Sequence, residues 1–171
     1  TLSVFELGFG TGLNALLSAI WAEQSKATIF YDSIDLIPVE DSVWNELNYT
    51  KILIHPDSTD YFKKMHTCPW NRPSFIHSHF TLCKIKANWL NYQPTSAYYN
   101  LFYMDAFGPE SQAELWNIES LHKIWSMLKP EGIMVSYCAK GQFKRDLKSL
   151  GFKIESLPGP PGKKEMPRAI K

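Results

Sequence analysis

The segment Phe5-Glu6-Leu7-Gly8-Phe9-Gly10-Thr11-Gly12 constrains this chain more than any other. Three alternating glycines follow an apolar run at residues 2–7, and Leu13, Leu16, Leu17, Ile20 and Trp21 then recur at helical spacing through about Glu23. Glycine adopts positive φ and carries no side chain. The pattern therefore predicts a buried strand, a sharp turn and an amphipathic helix whose first amides can face a ligand. A plain tight turn is the alternative, but it needs fewer glycines.

The remainder of the chain alternates in the same way. Strands are predicted at 27–34, 75–86, 98–104, 133–137, 152–157 and 166–170, the last closing the sheet's edge. Helices are predicted at 42–49, 59–66 and 142–150, with another marked by Ile118, Leu121, Ile124, Trp125 and Leu128 and stopped by Lys129-Pro130-Glu131-Gly132. Pro158-Gly159-Pro160-Pro161-Gly162 reads as a loop between edge strands. Strands alternating with helices imply a doubly wound, Rossmann-like α/β sheet, mostly parallel with an antiparallel edge strand, that binds ligands at the carboxyl ends of its strands. At 171 residues the chain is expected to form a single domain, 1–171. It opens at Thr1 directly on a strand, and further residues are expected upstream.

Two features of the glycine turn choose among cofactors. The spacing is Gly-x-Gly-x-Gly, not the dinucleotide fingerprint Gly-x-Gly-x-x-Gly, and Glu6 lies two residues before Gly8. A carboxylate there disfavours a pyrophosphate and suits a cofactor bearing an ammonium and a sulfonium. The expected cofactor is S-adenosyl-L-methionine, contacted by Glu6, Gly8, Phe9, Gly10 and Gly12. Asp35 follows the second strand, where a carboxylate can accept hydrogen bonds from both ribose hydroxyls; a surface aspartate or helix cap is the plainer alternative. Asp105 ends the apolar strand at 98–104 and enters Ala106-Phe107-Gly108-Pro109. A carboxylate in that place can orient an amine and take its proton, or merely cap the next helix. Phe107 is a candidate for contact with a base or the cofactor.

Other chemistries find no support. Cys68, Cys83 and Cys138 lack metal-ligand spacing, and an odd, scattered set suits reduced thiols in a cytoplasm. The five histidines read as surface or satisfied core residues, so no metal is expected. No apolar run approaches the ~20 residues that span a bilayer, and no membrane partner is expected. Net charge is +1, unevenly placed: residues 140–171 carry nine basic and three acidic side chains, +6, and the rest of the chain is −5. That asymmetry fits a polyanion at the C-terminal third, and equally a solvated lysine-rich face.

Three separated segments together resemble one family. Phe5 to Asn14, Met104-Asp105-Ala106-Phe107-Gly108-Pro109, and Gly162-Lys163-Lys164-Glu165-Met166 with Arg168-Ala169 are similar to the methyltransferase domain of MnmC-type tRNA-modifying enzymes; Glu114-Leu115-Trp116 and Ser136 to Gly141 agree. The resemblance implies a class I methyltransferase that moves a methyl group from S-adenosylmethionine to the amine of 5-aminomethyl-2-thiouridine at the tRNA wobble position. The product is 5-methylaminomethyl-2-thiouridine. The flavin oxidase domain present in some members has no counterpart here, so a stand-alone form is implied. By resemblance Asp105 holds the reactive amine, and Lys163, Lys164 and Glu165 belong to substrate binding. Two departures stand out. Where the family has an acidic residue near the adenine this chain reads Lys84-Ile85-Lys86-Ala87-Asn88, leaving Asn88 as the replacement, and the family's Lys-Arg-Glu-Met is Lys163-Lys164-Glu165-Met166, without arginine's bidentate fork. A methyltransferase of small amines or proteins, and a non-catalytic nucleotide- or RNA-binding module, remain as other readings.

Overall fold

The computed structural model describes residues 1–159 and 161–171. The chain divides into two compact units, Thr1–Ser3 with Phe9–Asn88, and Val4–Gly8 with Trp89–Lys171. Strand β1, Leu2–Leu7, contributes to both.

The first unit continues through α1 (Leu13–Ser25), β2 (Ile29–Asp35), α2 (Asp41–Trp44), α3 (Tyr49–Ile52), α4 (Ser58–Thr67), β3 (Pro73–His77) and β4 (Phe80–Lys86). β2 runs parallel to β4, with Ser33 opposite Lys84 and Asp35 opposite Lys86. The predicted strand region 75–86 is a hairpin: β3 turns back at Ser78-His79 and pairs antiparallel with β4. The predicted helix 42–49 is two single turns, α2 and α3, separated at residues 45–48.

α1 forms where expected, but its buried face is not the leucine stripe. Ala15, Leu16, Ala19 and Ala22 are buried, whereas Leu17 and Trp21 are 43% and 50% exposed. Small side chains let the helix lie close to its neighbours, which weighting by residue size misses.

The second unit contains β5 (Tyr99–Met104), α5 (Ile118–Met127), β6 (Leu128–Ser136), α6 (Gly141–Ser149), β7 (Lys153–Pro158) and β8 (Glu165–Ile170), with short 3₁₀ turns at Trp89–Asn91 and Ala113–Leu115. β1 and β5 are parallel, Leu7 facing Met104, so both strands end side by side at Gly8 and Asp105. β5 and β6 are also parallel. α5 begins on Asn117, whose side chain accepts the Ser120 amide at 2.8 Å, and buries Leu121, Ile124 and Met127. Phe5 centres an aromatic core, stacked on Phe102 at 5.4 Å and meeting Tyr99 and Trp89 at 5.1 and 5.9 Å.

Two sequence expectations change here. Lys129-Pro130-Glu131-Gly132 does not separate helix from strand. β6 begins at Leu128 opposite Tyr99, loops out at Glu131 (φ +62°) and resumes with Ile133 opposite Leu101. The strand at 166–170 is not the edge: β8 lies between β6 and β7, antiparallel to both, and β7 is outermost. The loop reading at 158–162 includes Pro160, which lies outside the described residues.

Among the described residues the strand order is β3-β4-β2 in the first unit and β1-β5-β6-β8-β7 in the second, each combining parallel pairing with an antiparallel outer pair. No described helix is long and apolar enough to cross a membrane.

Candidate active site

In the first unit the site begins with the glycine turn. Gly10 and Gly12 hold φ of +49° and +75°, a region that L side chains rarely adopt. Gly12 caps α1, and a Cβ on it would lie 3.0 Å from the Phe9 ring and 3.2 Å from His66 Nε2. At Gly10 the corresponding position is open, with no described atom within 4 Å. The Gly10 amide donates to Asp35 Oδ2 at 2.9 Å, and Ile37 N–H donates to Oδ1 at 3.1 Å. The predicted pair of glycine turn and Asp35 is thus joined directly. Asn88 is exposed two residues beyond the end of β4.

Phe9 is buried in a socket that the sequence reading did not find. Its ring packs against His66 and Trp70, with Lys84 Nζ at 5.6 Å from the Phe9 centroid and 4.9 Å from that of Trp70. Lys84 is 1% exposed and donates to the His66 carbonyl at 2.9 Å; burial pushes its pKa down. Burial also lowers His66, to about 4. The neutral ring therefore donates Nε2–H to the Thr11 carbonyl at 3.2 Å, and it stacks on Trp44 at 4.6 Å. A cleft of about 110 Å³ opens beside Gly10 among these side chains. Buried lysine runs against the usual burial order, which is why hydropathy gives no signal for Lys84.

Glu23, His55 and Asp57 also lie within ligand distance of one another. The Asp57 amide points at His55 Nδ1 (3.3 Å), which places the ring proton on Nε2, facing Glu23 Oε2 at 3.2 Å. Tyr61 donates to the same oxygen at 2.8 Å.

In the second unit, Gly8 (φ +97°) leaves room for the end of β5: a Cβ there would sit 3.2 Å from the Asp105 carbonyl oxygen. Asp105 is exposed, whereas Glu6 is 1% exposed inside the strands, opposite Tyr103. The loop after Asp105 is anchored twice, Ala106 O accepting from Tyr137 Oη and Phe107 O from Trp116 Nε1, both at 2.8 Å. The Phe107 ring is 74% exposed.

Beyond this loop a cleft of about 490 Å³ is lined by Gly108–Glu110, Tyr137–Lys140 and Lys163–Glu165. Lys163 donates to the Tyr137 carbonyl at 3.1 Å and lies 4.5 Å from the centroid of its ring. The structure thus gathers Lys163, Lys164 and Glu165 at one wall. Glu165 itself is engaged by Lys144 and by Ser156 Oγ (2.6 Å), which hold its pKa down. Lys140 pairs with Glu110 and Arg168 with Glu155. Lys171 donates to the carbonyls of Trp125 and Leu128 at 2.8 and 2.7 Å. The basic excess of residues 140–171 is therefore partly neutralised within the fold.

The first unit thus holds a glycine turn joined to an acidic residue at the end of β2, and the second an exposed carboxylate at the end of β5. Residues 73–171 match the family described as S-adenosyl-L-methionine-dependent methyltransferase, and the chain belongs to that family. Two curated relatives, each called tRNA 5-methylaminomethyl-2-thiouridine biosynthesis bifunctional protein MnmC, come from Nitrosospira multiformis and Hahella chejuensis. The first is 25% identical over 171 residues and the second 27% over 178, each covering 96% of this chain and 27% of the relative. The structure of MnmC2 from Aquifex aeolicus superposes with a TM-score of 0.68 at 18% identity, covering 98% of this chain and 52% of that one. A Burkholderia thailandensis 1,6-didemethyltoxoflavin-N1-methyltransferase, solved with S-adenosylhomocysteine, gives 0.55 at 14% identity, covering 99% and 71%. This chain spans about a quarter of the length of the curated relatives it matches. S-adenosylmethionine is the family's cofactor, and the residues present fit it: the open face at Gly10 admits a ligand to the turn, and Asp35 is held beside that turn with lone pairs to spare.

Proposed function

We propose that this chain methylates the primary amine of 5-aminomethyl-2-thiouridine at the tRNA wobble position, in the cytoplasm, giving 5-methylaminomethyl-2-thiouridine. The observation that carries the reading is the exposed Asp105, set against Gly8 at the adjoining ends of β5 and β1 and followed by the loop to the lysine-lined cleft. The names of the MnmC relatives supply the acceptor.

In this reading Gly8, Phe9, Gly10 and Gly12 shape the cofactor's seat, Glu6 favours its ammonium, Asp35 takes its ribose and Asn88 its adenine edge. Bound there, S-adenosylmethionine supplies a methyl group on a positively charged sulfur. Asp105 accepts hydrogen bonds from the substrate amine and fixes its direction; most of the rate comes from that positioning. A carboxylate stabilises an ammonium, so the amine's proton must pass through Asp105 or to water before the nitrogen lone pair is available. Phe107 offers an exposed ring for stacking on the base. Lys163 and Lys164 meet phosphates, and Glu165 keeps their wall in place through Lys144 and Ser156.

The test is to incubate the protein and S-adenosylmethionine with tRNA from cells lacking this modification, then analyse wobble nucleosides by mass spectrometry. Conversion of the aminomethyl to the methylaminomethyl nucleoside is the expected result. The pairing of Lys140, Lys144 and Arg168 with the protein's own carboxylates favours a second reading, a small-amine or protein substrate. Transfer to such acceptors with none to tRNA would establish it instead.

A further inference from the structure

Tyr137 stands where two parts of the second unit meet, and the roles proposed above leave it unused. Its hydroxyl donates to the Ala106 carbonyl at 2.8 Å, one residue past Asp105. Its own carbonyl accepts Lys163 Nζ at 3.1 Å, and its ring lies under the same ammonium. The residue also lines the 490 Å³ cleft. Trp116 packs edge-on against the Tyr137 ring at 5.9 Å and donates to the next carbonyl, that of Phe107. Two consecutive carbonyls after Asp105 are therefore held by two aromatic side chains in contact with each other.

A backbone stretch that enters a loop at an exposed carboxylate has few restraints of its own. Fixing the carbonyl oxygens of Ala106 and Phe107 sets the 106–107 and 107–108 peptide planes, which narrows the backbone torsions open to the chain immediately before them at Asp105. The donors come from rigid rings whose rotamers are restricted by packing, so they hold the loop at little entropic cost.

We infer that Tyr137 is a positioning residue: it fixes the Asp105 loop through Ala106 and registers that loop against the lysine-lined cleft through Lys163. The inference rests on the assignment of Asp105 to the substrate amine. Tyr137 itself touches neither amine nor cofactor in this scheme. It acts by limiting the orientations of Asp105, so its loss costs turnover and leaves affinity for the nucleic acid unchanged.

Tyr137→Phe is the informative change, since it removes only the hydroxyl and keeps the ring beneath Lys163. Hydrogen exchange followed by mass spectrometry should show faster exchange in the peptide covering residues 105–112, with other peptides and the melting temperature close to wild type. Turnover of hypomodified tRNA should fall about tenfold, as expected for one hydrogen bond that orients a reacting group, with KM within twofold. Lys163→Met should do the reverse, raising KM and sparing kcat. Wild-type exchange at 105–112 in Tyr137→Phe would overturn the inference, as would exchange raised throughout the chain. A higher KM with unchanged kcat would also overturn it, by making Tyr137 a substrate contact. Because the exchange measurement needs no substrate, local loosening in a protein that never methylates tRNA would leave the clamp standing and discard the proposed acceptor.

Discussion

At the scale of single residues, Gly8 and Asp105 depend on each other. Gly8→Ala places a Cβ 3.2 Å from the Asp105 carbonyl and forces alanine into φ +97°. Such a change should destabilise the protein by about 1–3 kcal/mol, read as a shift of the urea midpoint. Asp105→Asn keeps the shape and removes the charge, and kcat should fall about 100-fold or more with little change in KM; wild-type turnover at saturating tRNA would remove Asp105 from the chemistry. His66 sets a pH dependence. Its folded pKa is near 4 against 6.5 for an unperturbed ring, so above pH 6.5 both folded and unfolded states carry it neutral. As pH falls from 6.5 to about 4 the unfolded chain gains a proton that the folded one refuses, and stability declines across that window. His66→Gln, which keeps an N–H for the Thr11 carbonyl, should flatten that part of the acid limb in urea titrations. His77, also lowered by burial, contributes in the same direction. Asp35 and Asp105 were visible in the sequence because each is a charge that ends an apolar run. His66, Lys84 and Tyr137 were not, because their roles come from residues elsewhere in the chain, such as Thr11 for His66, Phe9 for Lys84 and Ala106 for Tyr137, that only the fold brings near.

At the scale of elements, periodicity located most strands and helices and missed what depends on partners. α5 was legible from its stripe of Ile118, Leu121 and Ile124, whereas the face of α1 was misjudged, since Ala15, Ala19 and Ala22 carry little hydropathic weight and yet fit close packing. The hairpin within 75–86 was hidden because Ser78-His79 lacks glycine or asparagine. The place of β8 between β6 and β7 follows from pairing across the chain, to which local pattern is blind. The Trp89–Asn91 turn also escaped notice, although Trp89 closes the aromatic core around Phe5 and Phe102 and donates to Ser120. Trp89→Ala should cost about 3–5 kcal/mol, measured by chemical denaturation; a loss below about 1 kcal/mol would mean the core collapses around the gap.

At the scale of the molecule, charge is distributed more economically than the sequence suggests. Residues 140–171 hold a formal +6, but Lys140, Lys144 and Arg168 face internal carboxylates, which concentrates exposed positive charge on fewer side chains. Lys163 and Lys164 are exposed at the cleft wall. Neutralising both should weaken tRNA binding and reduce the slope of log affinity against log salt by about 1–2, and an unchanged slope would take them out of the interface. The placement of β8 carries a different consequence, for the order in which the protein is made. During synthesis β7 leaves the ribosome before β8, yet among the described residues its ladder is with β8 alone, so residues 153–158 must wait for that ladder while the next dozen residues emerge. Lys163 and Lys164, which lie between those strands in sequence, are therefore set in place only once β8 has been made, after the glycine turn and the end of β5 have been synthesised.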